Sequence, residues 1–257
     1  MSAVEGRPAF IPYIMAGDPD VETTEAVITA LTRAGANLIE LGIPYGDPLA
    51  DGPTIAAAGQ RALRAGTRIG DVLALTKRAR AAGSAPIVLF TYFNPIYQYG
   101  LKRFASEAAA AGAWGAIVPD VALEEIGELR TALADHGLEL PLLVAPSTTR
   151  ERAARIAAAS GGFVYVVSRL GVTGAGSKPD FSPLHAQIAM LREVTDKPLA
   201  VGFGVSRAEH VREIGSIADA VIVGSSLIDA YAGKRGAVAA AAVAEFVANL
   251  LPARAVH

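Results

Sequence analysis

The sequence predicts an α/β protein built as a single (β/α)8 barrel. Short β-branched runs alternate with alanine- and arginine-rich helical segments along the whole chain, a pattern typical of a parallel sheet covered by helices. The length of 257 residues matches the roughly 250 of one such barrel, and no linker-like stretch divides it. We therefore expect one TIM-barrel domain over residues 1–257. A doubly wound sheet remains the alternative fold, because the prediction of a closed barrel depends on a correct count of eight strands.

Eight runs have the length and composition of buried strands, and helical periodicity fills the intervals between them. The predicted strands are 10–15, 38–43, 87–92, 116–118, 142–145, 163–168, 199–202 and 220–223. The predicted helices are 23–34, 55–64 with 69–81, 101–111, 123–135, 150–159, 183–194, 207–214 and 238–251. Gly35, Gly112 and Gly137 follow helical segments and precede strands, where glycine commonly ends a helix.

Composition excludes several classes of function. The net charge of -2 provides no basic field for nucleic acid. With no cysteine the chain has no disulfide, no thiolate nucleophile and no cysteine metal site, which fits a cytoplasmic location. The N-terminus lacks the apolar core of a signal peptide. The longest apolar segment, 237–251, contains Glu245 and is too short to span a membrane, so we expect no membrane association.

Glu40 is the most informative side chain, because it interrupts the apolar run 38–43. A buried carboxylate costs several kcal/mol unless something compensates it. The loop that follows is rich in proline and glycine and contains Asp47 and Asp51. An acid at the end of a strand, followed by acids in the next loop, indicates acid/base chemistry at one rim of the fold. A structural salt bridge to Glu40 is the alternative.

In a barrel of this type, function lies at the C-terminal ends of the strands. Polar residues and glycines do follow the predicted strands: Glu40, Asp51, Asn94, Asp120, Thr173, Gly202–Gly204 and Gly224–Ser225. The glycines after the seventh and eighth strands indicate a phosphate site, where backbone N–H groups converge on an anion. Tight-turn geometry alone is the alternative explanation for these glycines.

No other motif in the chain indicates chemistry. The four histidines lack metal-ligand spacing with a carboxylate, so we predict no metal site and expect surface or capping roles for them. Residues 147–149 have the composition of a helix N-cap, and Trp114, just before a strand, is expected to serve packing. There is no Gly-x-Ser-x-Gly elbow for a serine nucleophile.

Several stretches together resemble the alpha subunit of tryptophan synthase. The segments that carry the resemblance are FIPYIMAGDP (10–19), ELGIPYGDPLADGP (40–53), TYFNP (91–95), YVVSRLGVTG (165–174), VGFGVS (201–206) and VGS (223–225). The resemblance implies a (β/α)8 barrel that cleaves indole-3-glycerol phosphate to indole and glyceraldehyde 3-phosphate.

The resemblance also implies a role for each matching residue. Glu40 matches the family's acid/base, Asp51 its catalytic aspartate, and Tyr165 the tyrosine beside the glutamate. Thr173 lies in the loop that closes over the site. The positions that match the surroundings of the phosphate are Gly174, Gly202, Phe203, Gly204, Gly224 and Ser225.

The implied partner is a beta subunit that carries pyridoxal phosphate, in an alpha-beta-beta-alpha assembly, whereas this chain itself needs no cofactor. Two departures concern docking to that partner: Ala122 stands where the family generally has proline, and only nine residues precede Phe10, where a helix is usual. Two alternatives therefore stay open. One is a stand-alone lyase that releases free indole, and the other is a subunit kept mainly for allosteric binding.

Overall fold

The computed structural model describes residues 8–168, 180–202 and 204–251. Within these ranges strands and helices alternate along the chain. The strands are β1 (Ala9–Met15), β2 (Ile39–Gly42), β3 (Ile87–Phe90), β4 (Gly115–Ile117), β5 (Leu142–Val144), β6 (Val164–Val167), β7 (Leu199–Gly202) and β8 (Ala220–Val223). The helices are α1 (Val21–Arg33), α2 (Pro53–Arg64), α3 (Ile69–Ala81), α4 (Phe93–Tyr99), α5 (Leu101–Ala110), α6 (Gly127–Ala134), α7 (Arg150–Ala159), α8 (Ser182–Arg192), α9 (Ala208–Gly215), α10 (Ser225–Tyr231) and α11 (Gly236–Leu250).

All eight strands are parallel and form one sheet in the order β4-β3-β2-β1-β8-β7-β6-β5. The first strand pairs with both the second and the last: Tyr13 lies opposite Glu40, and Ile11 lies opposite Ile222. A doubly wound open sheet would not join its first and last strands in this way. The predicted (β/α)8 barrel is therefore confirmed.

The barrel is nearly closed, and its weakest junction lies between β4 and β5. These two strands share no ladder in the described part of the chain. They are connected through an isolated parallel bridge between Gly115 and Glu139, with the amide of Ala116 donating to the Glu139 carbonyl at 2.9 Å. We call this junction the seam. It lies at the N-terminal ends of the two strands, so their C-terminal ends are free to diverge.

Alternation along the strands sends every second side chain into the barrel. The interior cluster is small and apolar, whereas a larger cluster fills the space between the sheet and the helices. Trp114 stacks on Phe163 of the interior cluster, with ring centroids 5.9 Å apart, which confirms its predicted packing role. Leu38 belongs to the same cluster, and Glu40, two residues later, follows it on the inward face of β2.

Two short helices were not predicted from the sequence: one lies in the interval after the third strand, and the other begins in the turn after the eighth. Strand β3 ends at Phe90, and α4 begins at Phe93 with Pro95 in its first turn, where proline is tolerated. Helix α10 begins at Ser225, directly after Gly224. The predicted helix 123–135 is shorter than expected, because α6 starts only at Gly127.

Three glycines and one threonine that the sequence placed at helix ends have the expected roles there. Gly35, Gly112 and Gly137 have φ angles of 89, 79 and 69°, as helix-terminating glycines do. Thr149 caps α7 by accepting a hydrogen bond from the Arg152 amide at 3.4 Å. Among the described residues, none of the helices combines the length and the apolar composition that a membrane span requires.

Among the histidines expected at the surface or as capping groups, His210 is a capping group that lies buried. Its Nδ1 accepts a hydrogen bond from the Ser206 amide at 3.3 Å, which satisfies a free N–H at the start of α9. Its ring packs edge-on against Phe181, with centroids 5.8 Å apart. The imidazole therefore has a capping function inside the protein, and burial lowers its pKa.

Candidate active site

A cavity of about 340 Å³ opens at the C-terminal end of the barrel. Its floor consists of inward-facing side chains of the strands, and its walls come from the loops that follow them. The lining residues are Tyr13, Glu40, Ala50, Asp51, Gly52, Ile55, Phe90, Pro119, Leu143, Tyr165, Gly204, Val205, Ser206, Ile222, Gly224, Ser225, Ser226 and Asp229. The cavity thus brings together most of the residues that the sequence indicated.

Glu40 lies at the bottom of this cavity and is completely buried. Neither carboxyl oxygen has a hydrogen-bonding partner among the described residues, and no cation there is paired with it. Burial raises the pKa of Glu40 well above its ordinary value, because the charged form loses its hydration. The structural salt bridge considered for this residue is absent from the described ranges. Burial therefore favours the neutral, protonated form, which can give a proton.

Asp51 enters the cavity from the loop between β2 and α2 and is only partly buried. Tyr92 holds it: the phenol oxygen donates to Asp51 Oδ1 at 2.9 Å and accepts from the Ala50 amide at 3.0 Å. Burial raises the pKa of the Asp51 carboxyl, and the hydrogen bond from Tyr92 opposes that rise. Asp51 is thus more easily ionised than Glu40, which has no such donor.

Tyr92 was not singled out from the sequence as a functional residue. It lies 41 positions from Asp51 along the chain, just beyond β3, and only the fold brings the two together. Its ring also contacts that of Tyr45, with centroids 5.5 Å apart. The side-chain amide of Asn94 donates to the Tyr45 hydroxyl at 3.2 Å. The segment 91–95 therefore supports the β2–α2 loop from the side.

Two glycines at strand ends make room for tyrosines that line the cavity. A Cβ atom on Gly42 would lie 2.4 Å from the hydroxyl of Tyr13, and one on Gly202 would lie 2.6 Å from the hydroxyl of Tyr165. Both phenols are buried, and burial raises the pKa of each well above its usual value. Gly202 therefore serves the placement of Tyr165, and it is not among the cavity-lining residues.

The turns expected to bind phosphate are partly in place. Gly204, Gly224 and Ser225 all line the cavity, in the turns that follow β7 and β8. Ser226 Oγ donates to the carbonyl of Val205 at 2.8 Å, which connects the turn after β7 to the first turn of α10. Phe203, Thr173 and Gly174 lie outside the described residues, and so does most of the predicted lid.

A second cavity of about 260 Å³ adjoins the first on the side of the seam. Pro119 and Leu143 line both cavities and form the wall between them. Ala122, one of the two departures noted in the sequence, lines the second cavity. Within the described ranges no group of three or more histidine, cysteine or acidic side chains could hold a metal ion.

Comparison with known proteins agrees with this geometry. Residues 1–253 match the family described as tryptophan synthase alpha chain. The tryptophan synthase alpha chain of Picosynechococcus sp. is 50% identical over 248 residues, which cover 95% of this chain and 93% of the relative. That of Synechococcus elongatus is 51% identical over 228 residues, which cover 88% of this chain and 85% of the relative.

Solved structures give the same result. A chain of tryptophan synthase from M. tuberculosis, in an aminoacrylate-bound form, superposes with a TM-score of 0.84 at 38% identity, covering 95% of this chain and 94% of that one. A chain of the tryptophan synthase complex from Pyrococcus furiosus gives 0.87 at 35% identity, covering 97% and 99%. On the family match and on relatives of this similarity, the chain belongs to the tryptophan synthase alpha chain family.

Proposed function

We propose that Glu40 and Asp51 together carry out the cleavage of indole-3-glycerol phosphate in this chain. The chain acts as an alpha subunit of tryptophan synthase, a carbon–carbon lyase that releases indole and glyceraldehyde 3-phosphate for tryptophan biosynthesis. The observation that carries the assignment is the buried carboxyl group of Glu40, which has no partner among the described residues and faces the same cavity as Asp51.

Glu40 is assigned both proton transfers of this retro-aldol reaction. In the first step its carboxylic acid gives a proton to C3 of the indole ring. The resulting carboxylate then removes the proton of the hydroxyl on the carbon attached to C3. The bond between these two carbons breaks, the aldehyde forms, and the electron pair returns to the ring. Glu40 ends protonated as it began, and its raised pKa suits a group that must both give and take a proton.

Asp51 is assigned an electrostatic role. Protonation at C3 makes the indole N–H more acidic and leaves positive charge on the ring. A fixed carboxylate near the ring nitrogen stabilises that charge, and the partly buried position of Asp51 fits this task. The hydrogen bond from Tyr92 fixes the direction of the carboxyl group and favours its ionised form.

The phosphate is assigned to the turns at Gly204, Gly224 and Ser225. The first N–H groups of α10 have no acceptor within the helix and face an anion readily. Gly204 has a φ of 80°, a conformation that side chains other than glycine rarely adopt, so its turn is built for close backbone approach. Tyr165 and the apolar floor are left to contact the indole. The assignments of Gly174, Gly202 and Phe203 to the phosphate surroundings, and of Thr173 to the lid, stay predictions.

A beta subunit is the proposed partner, in an alpha-beta-beta-alpha assembly in the cytoplasm, and the pyridoxal phosphate is assigned to that subunit. The similar solved structures, which are of tryptophan synthase from M. tuberculosis and of the tryptophan synthase complex from Pyrococcus furiosus, support a partner of this kind. The stand-alone lyase is the second candidate, because Ala122 departs from the family at the predicted docking region. A single domain over 1–257 also stays a prediction.

Steady-state cleavage of indole-3-glycerol phosphate tests the assignment. The Glu40→Gln variant keeps the shape of the side chain but has no transferable proton, so turnover should fall by roughly 10²–10⁴-fold with the fold retained. Near-native turnover in this variant would remove Glu40 from the mechanism. The same assay with and without the beta subunit of the same organism separates the two candidates. Unchanged turnover together with no co-elution would favour the stand-alone lyase.

A further inference from the structure

The charges that line the active-site cavity are all acidic. Its ionisable acids are Glu40, Asp51 and Asp229, and none of the lining residues in the described ranges is a lysine, arginine or histidine. The ligand assigned to this cavity carries a phosphate dianion. Glu40 and Asp51 have roles at the indole end of that ligand, whereas Asp229 is left without one.

Asp229 lies on the same side of the cavity as the turns assigned to the phosphate. It follows Ser225 by four residues on α10, which places the two residues about 6 Å apart along the helix axis. Its side chain is exposed. An acid in the last turn of a helix opposes the helix dipole, so helix stability does not explain an aspartate at this position.

No nearby cation cancels the charge of Asp229. Within the described part of the chain, no lysine, arginine or histidine forms an ion pair with it. Arg61 lies close enough to feel its charge, but the guanidinium is already engaged by Asp18 through two hydrogen bonds of 2.7 and 2.8 Å. The pKa of Arg61 is raised mainly by the hydrogen bond to Asp18, with a smaller contribution from the charge of Asp229. Among the described residues that line the cavity on the side of the phosphate turns, Asp229 is therefore the one with a formal charge.

We propose that Asp229 sets the affinity of this chain for phosphorylated ligands by repelling the phosphate group bound at the turns of Gly204 and Ser225. The inference rests on the proposed phosphate site. The repulsion weakens binding of the phosphorylated substrate and equally that of glyceraldehyde 3-phosphate, and so favours departure of the product. Indole carries no phosphate, and its binding is unaffected.

The expected effect follows from distance and charge. A dianion about 10 Å from a carboxylate, in surroundings between water and a protein surface, is repelled enough to change a dissociation constant about three- to tenfold at low salt. The Debye length is roughly 30 Å at 10 mM salt and 3 Å at 1 M, so the effect should nearly vanish at the higher concentration. This salt dependence separates a charge effect from a change in the shape of the cavity.

The test compares four proteins: the wild type, Asp229→Asn, Asp229→Glu and Asp196→Asn. The last variant removes the same charge from an exposed acid between α8 and β7, at the opposite end of the barrel. Calorimetric titration with glycerol 3-phosphate at 10 mM and 1 M salt gives the dissociation constants, and titration with indole serves as the neutral control. Crystals soaked with glycerol 3-phosphate show independently where the phosphate lies.

The proposal expects Asp229→Asn to bind glycerol 3-phosphate about three- to tenfold more tightly at 10 mM salt, and equally at 1 M. Asp229→Glu and Asp196→Asn should behave as the wild type, and indole should bind all four proteins alike. Equal affinities of wild type and Asp229→Asn at low salt, with phosphate bound at the turns, would overturn the role of Asp229 alone. Phosphate bound in a different loop would instead overturn the proposed phosphate site.

Discussion

Replacing Tyr92 with phenylalanine would test how the catalytic aspartate is held. The change removes one oxygen atom and keeps the ring, which is buried and packs against Tyr45. Two hydrogen bonds disappear: the one donated to Asp51 Oδ1 at 2.9 Å and the one accepted from the Ala50 amide at 3.0 Å. The perturbation is therefore confined to the attachment of the β2–α2 loop.

The magnitude follows from the kind of bond that is lost. A hydrogen bond to a charged group is worth about 1.5–3 kcal/mol, and the partial exposure of Asp51 lets water replace some of it, so the lower end applies. Since about 1.4 kcal/mol corresponds to a factor of ten in rate, kcat/KM should fall about tenfold. Loss of the donor also raises the pKa of Asp51, because the bond from Tyr92 lowers it in the wild type. The acidic limb of the pH profile should therefore move to higher pH.

The assay is cleavage of indole-3-glycerol phosphate by the isolated subunit across a pH series. Tyr99→Phe is the matched control, because it deletes another phenol–carboxylate hydrogen bond, to Glu107, at a distance from the cavity. Only Tyr92→Phe should change kcat/KM and shift the acidic limb. An unshifted limb with native kcat/KM would refute the view that Tyr92 orients and ionises Asp51.

Three further substitutions probe other parts of the site. Because the pKa of Glu40 is raised in the folded protein, its contribution to stability is present below the unfolded value of 4.5 and is lost as pH rises through the folded value. Glu40→Gln should therefore gain unfolding free energy over the wild type as pH rises above 4.5, by at most about 1.4 kcal/mol per pH unit in urea titrations. Gly202→Ala would place a Cβ atom 2.6 Å from the Tyr165 hydroxyl. This overlap should lower the unfolding free energy by about 1–3 kcal/mol, so the melting temperature and kcat/KM should both fall. Arg61→Met would leave Asp18, which is 2% exposed, without its cation and should cost about 3–5 kcal/mol in thermal unfolding.

Each of these substitutions has a control or an outcome that contradicts it. A pH-independent difference between Glu40→Gln and the wild type would mean that Glu40 titrates normally. Gly70→Ala has open space around its new atom, and it should leave the melting temperature equal or slightly higher. Arg78→Met breaks only an exposed ion pair with Glu25, which is worth less than about 1 kcal/mol. If Arg78→Met and Arg61→Met lost equal unfolding free energy, the burial of Asp18 would not explain the contribution of its ion pair.

The barrel could be predicted from the sequence because its strands are short apolar runs at regular intervals, and all eight runs are strands in the structure. Helix α4 was missed since the residues before Pro95 continue the apolar run of β3. Glu40 was found because a lone acid in a buried strand is conspicuous. Tyr92 could not be found in this way, since its role depends on a contact with Asp51 that no local pattern encodes. The burial of His210 could not be predicted, because a single histidine on a helix carries no signal of burial.

The seam between β4 and β5 has a consequence for where the barrel opens locally. Where strands lack a ladder, backbone amides open locally at low free energy and exchange with solvent before the rest of the sheet does. Amide exchange should therefore be faster along β4 and β5 than along β1 and β2, which are paired on both sides. The wall of Pro119 and Leu143 stands at this soft edge and separates the two cavities. A substrate with a ring larger than indole should therefore be accommodated on this side of the cavity, because the strands beside the seam separate most easily.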